Sequence, residues 1–321
     1  MKKLIIKILL FVFLLYIPLY FLQNIVDKGL RKYREEEYSV WNDIFQGNIN
    51  AELIIIGASR SFVNISPLLL DSTLHQKAYN LGIDGGDFNL AYTRLKVYLS
   101  KNKKPKTIIY SISTLDLQRS SGFYNMEQFI PYLNDTIIRN GIEGYENGFK
   151  KFDYFIPAMK YRSYPKYYSI GVKLHYGASV NIEDGHKRVN GYQARPRIWD
   201  SSFLTFKSSG KKFNIKPEPI FIKQFYELID LCKKQNIKLY FVFSPEYKNV
   251  QPMFINRDSI FAIYSTAARL NNIPFFNYSN DSISYNTKYF YNSEHLNQFG
   301  SEIFTRKLAM DIKNSSLITI H

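Results

Sequence analysis

Five short apolar runs mark the chain beyond residue 50. They cover residues 53–56, 78–81, 107–112, 239–243 and 274–277. The first, third and fourth are continuously apolar instead of alternating, the pattern of strands covered on both faces. Amphipathic stretches lie between and after them. Phe88, Ala91, Leu95, Tyr98 and Leu99 form one helical stripe. Residues 220–234 form a second, opened by Pro217 and Pro219, and residues 259–270 a third. Phe299, Ile303, Leu308 and Ile312 form a fourth. This alternation predicts an α/β fold with a three-layer, doubly wound, mainly parallel sheet. In such sheets ligands bind at the carboxyl ends of the strands. Residues 118–215 break the pattern. Rich in Tyr, Gly, Ser and Arg with weak periodicity, they read as an insertion over the sheet's edge or its active face.

The N-terminus carries a different signal. Residues 4–22 are apolar apart from Lys7 and follow Lys2 and Lys3. About 19 residues suits a membrane span better than a buried helix. The run ends without a small-x-small cleavage site, which favours an uncleaved anchor over a signal peptide. The expected organisation is an anchor over 1–23, a charged juxtamembrane helix or linker over 24–50, and an α/β domain over 51–321. Long domains translocate largely regardless of flanking charge. The expected location is therefore a single pass through the cytoplasmic membrane, with the domain outside the cytoplasm, in the cell envelope.

Charge changes little in this picture. The net charge is +15, but no zinc-finger spacing, basic heptad helix or RNA-binding signature accompanies it. Nucleic acid is not an expected partner. The lone cysteine, Cys232, falls in helical phase with Phe221, Phe225, Leu228 and Ile229 and reads as a core residue. The histidines are scattered, with no His-x-x-x-His and no cysteine pair, so neither a metal nor a cofactor is expected.

Three segments could carry chemistry. The first strand runs into Gly57-Ala58-Ser59-Arg60-Ser61, which exposes a serine at the sheet's carboxyl edge with its N–H free for an oxyanion. The second strand is followed by Asn80-Leu81-Gly82-Ile83-Asp84-Gly85-Gly86-Asp87. A dinucleotide site would need its glycines after the first strand. A plain helix lead-in capped by Asp87 is the alternative for this cluster. Third, Asn292-Ser293-Glu294-His295-Leu296-Asn297 precedes the last helix, where His295 can act as a general base toward Ser59. His75, His175, His186 and His321 lack such a context and read as structural or exposed.

This order of motifs resembles the SGNH (GDSL-like) hydrolase superfamily, whose domain has a flavodoxin-like fold. The most similar variants are membrane-anchored proteins of D-alanyl transfer and alginate O-acetylation. The resemblance spans about residues 50–312, the insertion excepted. It implies Ser59 as nucleophile, His295 as base, and Ser59 and Gly85 as oxyanion-hole donors. It further implies an ester hydrolase or O-acyltransferase acting on cell-surface polysaccharide, with an acylated or acyl-accepting glycan and a polytopic membrane O-acyltransferase as partners. Two positions depart from the pattern. Asn292 stands where the family has Asp, three residues before the histidine. The usual Asn after the third strand is missing, the region reading Ile112-Ser113-Thr114-Leu115-Asp116. Asn292 can orient an imidazole through its carbonyl without supplying a counter-charge; Glu294 and Asp116 are the candidate substitutes. The departures leave room for a second reading, a catalytically inactive domain that binds glycan or assists the membrane acyltransferase. In that reading Tyr161, Tyr164, Tyr167 and Tyr168 offer sugar-stacking faces, with plain packing as their alternative role.

Overall fold

The computed structural model describes residues 1–120, 122, 124–182 and 187–318. His186 and His321 lie outside the described residues. Five strands form one parallel sheet: β1 (Leu53–Gly57), β2 (Ala78–Asn80), β3 (Thr107–Ser111), β4 (Lys238–Phe243) and β5 (Phe275–Asn277), in the order β2-β1-β3-β4-β5. All five match the apolar runs, and the fold is the expected α/β class. Strand order reverses between β1 and β3, where Gly57 pairs with Ser111. The crevice at such a switch point is the general ligand position of open α/β sheets.

The strands' side chains alternate between two cores. Ile54, Ile56, Ile108, Tyr110, Phe241 and Phe243 face one layer. It is built by α2 (Glu36–Gln46), α5 (Phe88–Lys101), α10 (Pro219–Lys234) and α11 (Arg257–Leu270). Leu53, Ile55, Ile109, Tyr240 and Val242 face the other, built by α4 (Pro67–Leu74) and α12 (Gln298–Ile318), with α3 (Ser59–Asn64) alongside α12. Burying both faces explains why the strands read as unbroken apolar runs. Cys232 is buried in the first core, as its helical phase implied, and burial pushes its thiol up to about 12.

Helix α1 runs from Lys2 to Leu30 without a break. Among the described residues it is the one helix long and apolar enough to cross a membrane. Its last turns enter the body of the protein, where Val26, Asp27, Gly29 and Leu30 are buried. Gly29 lies against Gly171 so closely that a Cβ there would sit 1.7 Å from the Gly171 carbonyl oxygen. Only glycine permits that approach. Residues 24–50, expected as a juxtamembrane helix or linker, are thus the end of α1 and all of α2, and Val40, Trp41 and Ile44 sit in the main core.

The insertion carries four short helices, α6 (Thr136–Gly141), α7 (Lys151–Phe155), α8 (Pro165–His175) and α9 (Ser202–Ser208), with 3₁₀ turns at Met126–Tyr132 and Met159–Tyr161, joined by irregular stretches. It does two jobs. Helix α8 packs along α1, and the Asn190 carbonyl accepts the Asn80 N–H on the outer edge of β2, which blunts an otherwise open edge. The tyrosines serve the first job. Tyr161 is buried beside Val26, Leu30, Tyr33 and Tyr38, with Tyr164, Tyr167 and Tyr168 packed around it. Its hydroxyl donates to Asp27, which also accepts from Lys160 at 2.7 Å. Tyr161 therefore offers no face for sugar stacking; packing is its role.

Candidate active site

Ser59 opens α3 directly after β1. Gly57 makes the turn: its φ is +142°, and a Cβ there would stand 2.5 Å from the Ser111 carbonyl oxygen on β3. A side chain would push the two strands apart at the switch point. As the first residue of a helix, Ser59 has no intrahelical acceptor for its N–H.

His295 reaches Ser59 from a loop 236 residues away, with Nε2 2.7 Å from Oγ. Three contacts hold that loop. The Leu296 N–H donates to Asn64 Oδ1 at 2.9 Å, tying it to the far end of Ser59's own helix. Phe290 bridges Leu296, and the Tyr291 ring stacks on the imidazole with an interplanar angle of 12°. Asn292 then orients the ring. Its Oδ1 accepts the backbone N–H groups of Glu294 (3.1 Å) and His295 (2.9 Å), and it lies 3.0 Å from His295 Nδ1. Two backbone donors fix the amide with oxygen inward. Facing that oxygen, Nδ1 carries the proton, and Nε2 presents its lone pair to the Ser59 hydroxyl.

Neither carboxylate weighed as a substitute touches the imidazole. Glu294 and Asp116 line the same cleft as Ser59 and His295, a space of about 460 Å³ also bounded by Gly85, Gly86, Ser113, Leu115 and Arg119. Asp116 is buried, and its Oδ2 accepts from the Tyr110 hydroxyl and the Ser113 N–H, each at 2.8 Å. Burial pushes it up to about 7, against those two donors and Arg60. Burial also raises Glu294, with Arg60 opposing and Glu246 adding. His295 moves the other way: burial first, then Arg60 and Arg195, push it down to about 3. The imidazole is held neutral.

Arg60, next to the serine in sequence, is the charge that recurs in these environments, and sequence reasoning overlooked it. Its guanidinium is buried, donates to Glu246 at 3.0 Å and to Ser244 and Pro245, and stacks 4.2 Å over Phe243. Glu246 is shared with Arg257 at 2.8 Å. The only local sign was an arginine following the serine, and arginines are usually solvent-facing.

Gly85 lies across the cleft from the histidine loop, with its N–H against the Asp84 carboxylate. Its loop is braced from three sides. Asn80 Oδ1 accepts from Gly82 N (2.9 Å) and Ser61 Oγ (3.0 Å), and its amide donates to the Ser61 and Ile65 carbonyls. The Gly82 carbonyl accepts from Arg94 and Arg188, each at 2.9 Å. Both arginines also donate to the buried Glu37 carboxylate, which accepts the Asp84 N–H at 2.8 Å. Burial alone would raise Glu37, but Arg188, Arg94 and the Asp84 N–H together hold it below the usual range. Asp87 caps α5 through the Leu90 N–H, as the sequence suggested.

No family model matches the chain, and no curated protein matches it. Solved structures do. One, from Desulfitobacterium hafniense, is described as a lipolytic protein of the G-D-S-L family; it is 12% identical, covers 81% of this chain and 99% of its own, with a TM-score of 0.41. A GDSL-like lipase from Bacteroides thetaiotaomicron is 11% identical over 86% of this chain and 100% of its own, with a TM-score of 0.39. A protein from Bacteroides fragilis described as an acylhydrolase is 12% identical over 81% of this chain and 86% of its own, with a TM-score of 0.37.

Proposed function

We propose that this protein is a membrane-anchored, extracytoplasmic serine ester hydrolase or O-acyltransferase of the SGNH type, acting on acyl groups of cell-surface polysaccharide. The observation that carries the reading is the hydrogen-bonded series Ser59 Oγ, His295 Nε2, His295 Nδ1, Asn292 Oδ1, at 2.7 and 3.0 Å. A nucleophile within reach of a base that a third group orients is the constellation of nucleophilic acyl transfer.

In this reading Ser59 Oγ attacks the ester carbonyl carbon while its proton passes to His295 Nε2. The Ser59 N–H receives the oxyanion, with the Gly85 N–H as second donor once it turns from the Asp84 carboxylate, and the buried Arg60 adds positive potential beside the cleft. Collapse breaks the ester C–O bond, and His295 returns the proton to the leaving alcohol. Water or a glycan hydroxyl then gives its proton to His295 and attacks the acyl-serine. The second collapse releases Ser59, which takes the proton back. A span over residues 4–22 would hold the cleft near polymers assembled at the membrane, with a polytopic O-acyltransferase as the fitting donor of acyl groups.

The test is hydrolysis of p-nitrophenyl acetate by the full chain and by Ser59→Ala. Activity in the first and none in the second is the expected result; equal rates would remove Ser59 from the reaction.

A second reading, a non-catalytic domain that binds glycan or assists the acyltransferase, is favoured by one observation. No carboxylate touches His295 among the described residues, so an imidazolium has no counter-charge in contact. Covalent labelling of Ser59 by a fluorophosphonate probe counts against it.

A further inference from the structure

Helix α1 does not stand alone beside its apolar stretch. The segment around α7 runs along it in step: the Tyr16 hydroxyl donates to the Phe155 carbonyl at 3.2 Å, the Ala158 N–H to Gln23 Oε1 at 2.8 Å, and Lys160 and Tyr161 to Asp27. Tyr16 lies six residues inside the end of the apolar run. At 1.5 Å per residue that is about 9 Å along the helix. Residue 155 therefore sits at the height of the span, not above it.

What the segment shows at that height is apolar. Phe155 is 69% exposed, Ile156 49% and Phe152 39%. Single exposed apolar residues are ordinary, but three within five positions are not, even with the Arg162 guanidinium 4.6 Å over the Phe152 ring. Two exposed lysines, Lys150 and Lys151, flank them. Tyr16 and Tyr20 on the neighbouring helix belong to the residue type that gathers at membrane–water interfaces. An apolar tip with adjacent lysines beside interfacial tyrosines has the chemistry of a segment whose apolar side chains enter the headgroup–acyl boundary while its lysines stay at the headgroups.

We propose that Phe152, Phe155 and Ile156 form a second membrane contact, inserted into the interfacial layer of the bilayer that α1 crosses, with Lys150 and Lys151 over anionic headgroups. This rests on the reading of α1 as an uncleaved span. The occupant is lipid because the patch continues the lipid-facing surface of α1 and is joined to it by hydrogen bonds. Membrane attachment would then be two-point, which fixes the rotation of the domain about the helix axis as well as its height.

The experiment uses the full chain in lipid nanodiscs containing anionic lipid, spin-labelled through single introduced cysteines; native Cys232 is buried and 2% exposed. Labels go at Ile156→Cys and, separately, Phe155→Cys. Leu14→Cys on α1 reports the span, and Leu204→Cys on α9 reports water. The readout is the ratio of oxygen to water-soluble nickel-chelate accessibility. The expected result is a ratio at positions 155 and 156 several-fold above that at 204 and below that at 14. Ratios at 155 and 156 equal to that at 204, with 14 lipid-exposed, overturn the proposal and leave the anchor standing. A water-exposed label at 14 overturns the anchor, and this proposal with it.

Discussion

Asn292 Oδ1 stands 3.0 Å from His295 Nδ1 while two backbone N–H groups hold that oxygen in place. An asparagine in this position is free to turn its NH₂ toward the ring in some sites, which selects the wrong tautomer. Replacing the triad Asp of a serine protease by Asn loses about 10⁴ in turnover that way. Here the backbone donors prevent the flip, so tautomer and geometry are kept and only the counter-charge is missing. Asn292→Asp should therefore raise kcat/KM for p-nitrophenyl acetate by roughly 10- to 100-fold, the electrostatic share alone. An unchanged rate would mean that the carboxylate is not what limits this site.

The same environment sets the pH profile. His295 is held down to about 3 by burial, Arg60 and Arg195, so it stays neutral across the working range. Activity should show no acid limb near the ordinary histidine value, and kcat/KM should stay level between about pH 5 and 7. In Asn292→Asp the limb should move up toward neutrality. Stability follows with a definite sign: the unfolded chain binds a proton near 6.5 and the folded chain only near 3. This contribution is complete above the unfolded value and is lost as pH falls toward the folded one.

Asp116 acts in the opposite direction on the pH axis. Its folded value, about 7, lies above that of an ordinary aspartate. The folded state keeps a proton that the unfolded state has released, so stability falls as pH rises from about 4 to 7. Asp116→Asn should flatten that slope, a change on the order of 4 kcal/mol at most. Denaturant midpoints of the two proteins at pH 5 and pH 8 measure it.

Glu37→Gln should leave Arg94 and Arg188 buried without their counter-charge. Removing one member of a buried ion network typically costs about 3–5 kcal/mol. Because the same arginines hold the Gly82 carbonyl, kcat should fall with little change in KM. A thermal melt beside steady-state kinetics reads both effects, and an unchanged melt would show that Glu37 is dispensable to the loop.

Most of the sheet could be read from the chain because its strands are buried on both faces, which leaves runs such as 107–112 with no charged interruption. Four of the long helices were visible for the same reason, each having one dry face. Helices α3 and α4 were not, being too short to display a period. The insertion's helices hid because their tyrosines pack with the hydroxyl satisfied, as Tyr161 does on Asp27. Ser59, His295 and Asn292 were legible through order along the chain. Arg60, Glu37 and Arg188 were not. Each is a charge buried against a partner 57 or more positions away, and no local pattern records such a pairing.

The unbroken passage of α1 into the body, closed by the Gly29–Gly171 contact, has a mechanical consequence. A tether of loose residues would let the cleft sweep a hemisphere of positions above its attachment point. With α1 as the proposed membrane span, a helix continuous into the domain would give it one altitude and one bearing. Such a device would work as a gauge: it would reach chains presented at a set distance from the surface and pass over identical groups farther out.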